Sequence, residues 1–129
     1  MGFLVENELA DNAVRRNAAA GGHYFDKDTL RFFGSRIHEG YDMGDGSTLV
    51  IMSNKDKGWQ IGGERAAVVN GRRHYYFVVV DPKGSTHKSL TPDEYRYDVS
   101  KGTGYWLSLR GARAAAKRFQ AEQATSAKP

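Results

Sequence analysis

SRIHEGYDMGDGSTLVIMSN, residues 35–54, decides the fold class. Two segments with strand composition, SRIHEGYD and STLVIMSN, flank Met43-Gly44-Asp45-Gly46, a four-residue turn of the kind that joins antiparallel neighbours. A hairpin at this point makes the centre of the chain a sheet, and the pattern continues downstream. ERAAVV and RRHYYFVVV are separated by Asn70-Gly71. A type I′ turn needs positive φ at both central residues, so this dipeptide predicts a second hairpin. Asp81-Pro82-Lys83-Gly84 forms a further turn. Thr91-Pro92-Asp93-Glu94 has the layout of a capping box with proline at the first helical position, and predicts one short turn before YRYDV.

Helical periodicity flanks this region on both sides. In residues 6–20, Leu9, Ala13, Val14 and Ala18 stand at offsets of four, five and nine, the stripe of an amphipathic helix that Gly21 and Gly22 end. Asp26 is placed to cap a short helix over 27–33. Its first turn holds Asp28, Phe25 and Leu30 form a hydrophobic staple, and Gly34 is its stop. After Ser108 as N-cap, Leu109, Ala112, Ala116 and Phe119 recur on one face of a C-terminal helix, while Arg110, Arg113, Lys117 and Arg118 occupy its other side. The expected fold is α+β. A small antiparallel sheet of four or five strands is packed by an N-terminal helix, a short second helix and a C-terminal helix. Residues 1–122 are expected to form one domain, and 123–129, with nothing to bury, a disordered tail.

A length of 129 residues suits one core, and 40% hydrophobic with 26% charged residues describes a globular chain. The absence of cysteine excludes disulfides, thiolate metal sites and cysteine nucleophiles. The N-terminus lacks the basic and apolar regions of a signal peptide, and no apolar run reaches membrane-spanning length, so the expected location is the cytoplasm, away from membranes. The net charge of +4 is unevenly placed. Residues 1–60 hold 7 Lys/Arg and 9 Asp/Glu, whereas 61–129 hold 12 and 6, giving −2 and +6. The basic half suits a polyanion or an acidic protein as partner.

Residue patterns for catalysis are missing. The four histidines are not in ligand spacing, and neither a P-loop nor a nucleophile-elbow motif occurs. His23 with Asp26 can share a metal only through a turn where packing and helix capping account for both. His38, His74 and His87 read as strand or turn residues. No cofactor and no metal is expected. Two basic constellations remain as binding candidates. One is Arg72-Arg73-His74-Tyr75-Tyr76, in which alternation puts Arg72, His74 and Tyr76 on one sheet face, a cation beside rings that can hold phosphate and stack a base. The other is the basic side of the C-terminal helix, Arg110, Arg113, Lys117 and Arg118. Either also serves simply to keep a sheet edge or a helix face solvated.

The run Gly22-His23-Tyr24-Phe25-Asp26 followed by Asp28-Thr29-Leu30-Arg31-Phe32-Phe33-Gly34-Ser35-Arg36 resembles the signature of a family of small uncharacterised bacteriophage proteins, notably from phages of actinobacteria. The resemblance covers about residues 17–37, and the chain departs from that family between Ser47 and Tyr105. It implies a phage accessory protein that binds a host or defence-system protein in the infected bacterium. It supplies no catalytic residues, and leaves Arg31 and Arg36 to pair with acids or to face the partner. The alternative is a nucleic-acid-binding module for DNA or RNA that uses the basic hairpin and helix.

Overall fold

The structure, a computed structural model, describes residues 2–21, 36–54, 72–98 and 101–126. Helix α1 (Gly2–Ala19) leads into strands β1 (Arg36–Asp42), β2 (Thr48–Asn54) and β3 (His74–Val80). Two 3-10 turns, Lys88–Leu90 and Asp93–Tyr95, precede the short strand β4 (Tyr105–Trp106) and helix α2 (Leu109–Ser126). The strands form one antiparallel sheet in the order β1-β2-β3-β4. The fold is α+β, as the sequence pattern predicts. The expected short helix 27–33 and the Asn70-Gly71 hairpin with ERAAVV lie outside the described residues. Along its whole length β3 pairs with β2, and Tyr75 and Tyr76 also pair with β4.

The first hairpin forms where residues 35–54 place it, with a turn one residue longer than expected. Met43 donates to the Ser47 carbonyl, while Gly44 and Gly46 take φ values of +88 and +91. The carboxylates of Asp42 and Asp45 accept from the Gly44 and Ser47 amides, so each aspartate stabilises a bend beside itself. Register slips once in β1, between Ile37 and Glu39, and the extra residue of that bulge is His38.

Strand alternation divides the core between the two faces of the sheet. Leu49, Ile51, Phe77 and Val79 pack with Ala112, Ala115, Ala116 and Phe119 of α2. Val50, Met52, Tyr76, Val78 and Val80 pack with Ala10, Ala13 and Val14 of α1. The sheet is therefore the middle of three layers. The buried stripe of α1 is Ala10, Ala13, Val14 and Asn17, rotated from the expected Leu9, Ala13, Val14 and Ala18, of which Leu9 and Ala18 are half-buried. Close approach explains the rotation. A Cβ on Gly40 would lie 2.7 Å from the Ala10 nitrogen, so the smallest residues of helix and strand meet. Asn17 is drawn inward because its amide donates to the Gly84 carbonyl at 2.8 Å.

At the C-terminal side two expectations change. Thr91 does not cap a helix. The turn that forms is a three-residue 3-10 segment behind Pro92, with no side-chain cap, and the Thr91 carbonyl accepts from Arg96 instead. YRYDV contributes Tyr97 as a packing residue and Asp98 as an isolated bridge to Thr103, and the last strand is Tyr105–Trp106. Helix α2 begins as expected, with the Ser108 hydroxyl accepting from the Gly111 amide at 3.0 Å. It runs to Ser126, four residues into the segment 123–129 expected to be disordered. Gln123 and Ala124 are good helix formers that need no buried face, which favours the extension.

Candidate functional site

Strand parity decides which of the sequence-predicted residues meet. His74 and Tyr76 share a face, as alternation requires, but that face is the one packed by α1, and both are buried, His74 completely. The expectation that they form an exposed cation-and-ring surface is corrected by this packing. The ring of Tyr97 stacks on both, 4.6 Å from Tyr76 and 5.6 Å from His74. The Arg72 carbonyl, which can only accept, lies 3.3 Å from His74 Nδ1, so Nδ1 donates to it, and Nε2 pairs with the Tyr97 hydroxyl at 2.8 Å. His74 is thus a packing histidine. Arg72 is exposed just before β3.

On the opposite face, parity brings together residues that the sequence holds far apart. Ser53 lies across from Arg36 on one side and Tyr75 on the other. Because the bulge turns His38 toward this face, its Nε2 comes within 2.6 Å of the Ser53 hydroxyl, and its ring lies 5.3 Å from that of Tyr75. Arg73 donates to the same hydroxyl at 2.7 Å. A guanidinium only donates, so with His38 neutral the Ser53 hydroxyl accepts from Arg73 and donates to Nε2. Next to this group, buried Glu39 accepts from the Tyr41 hydroxyl at 2.9 Å and from Arg113 Nε of α2 at 2.7 Å.

The resulting site is cationic around a half-buried imidazole. Burial, and after it Arg73, pushes the His38 pKa below its usual 6.5; Glu39 pulls the other way, and Arg36 and Arg113 add smaller depressing contributions. Of the predicted binding residues, Arg36, Arg73, Tyr75 and Arg113 therefore meet. Arg110 and Lys117 are exposed on α2. Arg118 belongs to the far end of that helix, beside the Tyr95 hydroxyl, which donates to Glu122 at 3.0 Å. Arg31, like His23 and Asp26, lies outside the described residues. His38, Glu39 and Ser53 escape sequence reasoning because a bulge leaves no periodic signal, and Ser53 reads as the polar end of an apolar strand.

Two cavities lie beneath the 86–97 loop. One, about 230 Å³, runs beside β3 and is lined by Phe77, Val79, Thr86, His87, Arg96 and Tyr97 among others. The second, about 310 Å³, includes Asp45, Ser47, Asp93 and Phe119. Among the described residues no group of three histidine or carboxylate side chains is arranged to hold a metal ion, and no helix is long and apolar enough to cross a membrane.

Residues 10–68 match a family of unknown function, DUF7447. That segment contains Arg36, His38 and Ser53, whereas Arg73 and Arg113 lie beyond it. The DUF7447 match thus covers β1 and β2, one side of the basic site, and stops before β3 and α2 complete it. No curated protein and no solved structure matches the chain.

Proposed function

We propose that this is a non-enzymatic bacteriophage accessory protein that binds an acidic surface of a host or defence-system protein. One observation carries the reading. Arg36 of β1, Arg73 just before β3 and Arg113 of α2 all act on one imidazole, and of the three Glu39 pairs with Arg113. Such an arrangement makes a local positive potential that favours an anionic partner. Binding rather than catalysis is supported by Ser53, whose hydroxyl contacts both His38 and Arg73 and which has no exposed surface for a substrate to approach. The phage setting is supported by the resemblance of residues 22–36 to small phage proteins.

A nucleic-acid partner has one observation in its favour: Arg73 and Tyr75, a cation and a ring, share a face. Against it, the Tyr75 ring lies against that of His38, 5.3 Å away and tilted by 52°, and Tyr75 also packs on the core, which leaves little open ring for a base. Affinity capture from a bacterial host lysate, with the parent and with Arg36→Glu/Arg73→Glu, tests the reading. The parent is expected to retain an acidic protein that the double variant releases. Equal capture by both proteins, or tight binding of oligonucleotides with a salt slope of several counterions, refutes it.

A further inference from the structure

We propose that Arg36, His38 and Arg73 form the recognition centre for a carboxylate-rich segment of the partner protein. This rests on the binding role proposed above and names the chemistry of the contact. Among the described residues, neither Arg36 nor Arg73 has a carboxylate within ion-pair distance, whereas Arg113 is held by Glu39. Among the described residues the centre therefore holds two cations without a carboxylate partner beside the His38 ring. Their geometry selects the ligand. Arg73 is held by the Ser53 hydroxyl and Arg36 stands directly across the hairpin from Ser53, so the charges gather around a point instead of following a track. A nucleic-acid backbone needs cations spaced along successive phosphates, while neighbouring carboxylates of an acidic segment fit a compact pair of guanidinium forks.

His38 links this contact to pH. The charged groups that face it are Arg36 and Glu39 from β1, Arg73 with the phenol of Tyr75 from the β3 segment, and Arg113 from α2; β2 contributes only the Ser53 hydroxyl. In the free protein, burial and the arginines keep the imidazole neutral. An anion seated on Arg36 and Arg73 offsets that repulsion and raises the His38 pKa, so binding takes up a proton. Linkage then requires affinity to increase as pH falls through this range. The limit for one proton is about tenfold per pH unit. Glutamates of the ligand remain ionised above about pH 5, which keeps the effect attributable to His38.

The probe is a fluorescein-labelled peptide with four consecutive glutamates, followed by anisotropy between pH 5.5 and 8, with a single-stranded oligothymidylate of equal charge as competitor. The parent is expected to bind the peptide in preference to the oligonucleotide and more tightly at low pH. Arg36→Ala and Arg73→Ala should each weaken binding about three- to tenfold, Arg118→Ala should leave it unchanged, and His38→Gln should flatten the pH dependence. Arg36 is exposed, so its variant keeps the fold intact, and thermal melting of every variant verifies this. Peptide binding indifferent to Arg36→Ala, unchanged by pH in the parent, or displaced by the oligonucleotide overturns the inference. If Arg36→Glu/Arg73→Glu abolishes capture of the host protein while the peptide never binds the parent, the surface is right and the acidic-segment ligand is wrong. If capture survives the charge reversal, the functional reading itself fails.

Discussion

Two histidines on opposite faces of one sheet show what burial does to a titratable side chain. His74 has no exposed surface, both ring nitrogens have partners, and Tyr97 stacks on it. His38 sits in a β-bulge at the sheet edge, with one hydroxyl partner and three arginines around it. The first completes a core; the second lies among cationic side chains at its margin. Both are strand residues in the sequence, and the direction each faces separates their roles.

The comparison breaks if the two faces do not carry different energetic weight. Phe119 anchors α2 to the face that His38 borders, is 1% exposed, and stacks on Tyr95 at 4.9 Å. Phe119→Ala should lower unfolding free energy by about 3–5 kcal/mol in urea denaturation, because it removes the contacts and leaves a cavity. A loss under about 1 kcal/mol would mean that α2 contributes little to the fold and that Arg113 is not held in place by it.

The contrast between the histidines is sharpened by replacing each. His74→Ala should cost about 1–3 kcal/mol, since the Tyr97 hydroxyl loses a buried partner and the ring its stacking partner. His38→Gln should cost less, about 0.5–1.5 kcal/mol, because the edge site admits water and glutamine can still bond Ser53. Equal losses in parallel denaturation curves would erase the distinction between a core histidine and a surface one.

The smallest effect is the pH dependence of stability. His38 is depressed in the folded protein relative to 6.5, so the unfolded chain binds its proton first as pH falls. The stability that goes with the neutral ring is present above 6.5 and is lost as pH falls through the folded-state value. Thermal melts of the parent should therefore decline more steeply below pH 6.5 than those of His38→Gln. Superimposable profiles would show that His38 is not perturbed.

Local chemistry determined much of this protein. The hairpin within residues 35–54, the Ser108 cap, the apolar stripe through Ala112, Ala116 and Phe119, and the α+β class follow from turn residues and periodicity, which act over a few neighbours. Pairing across the sheet decided the rest. Which face of β3 meets which helix cannot be read from alternation alone, because β2 and β3 are apolar on both sides, and so Tyr76 was as eligible for exposure as Tyr75. A bulge at His38, close contact between Gly40 and Ala10, and the arrival of Arg113 from 74 residues beyond Glu39 all depend on tertiary packing. The residue types of the basic cluster were present in the sequence. Only the folded sheet, by setting register and parity, brought Arg36, His38, Ser53 and Arg73 to one place.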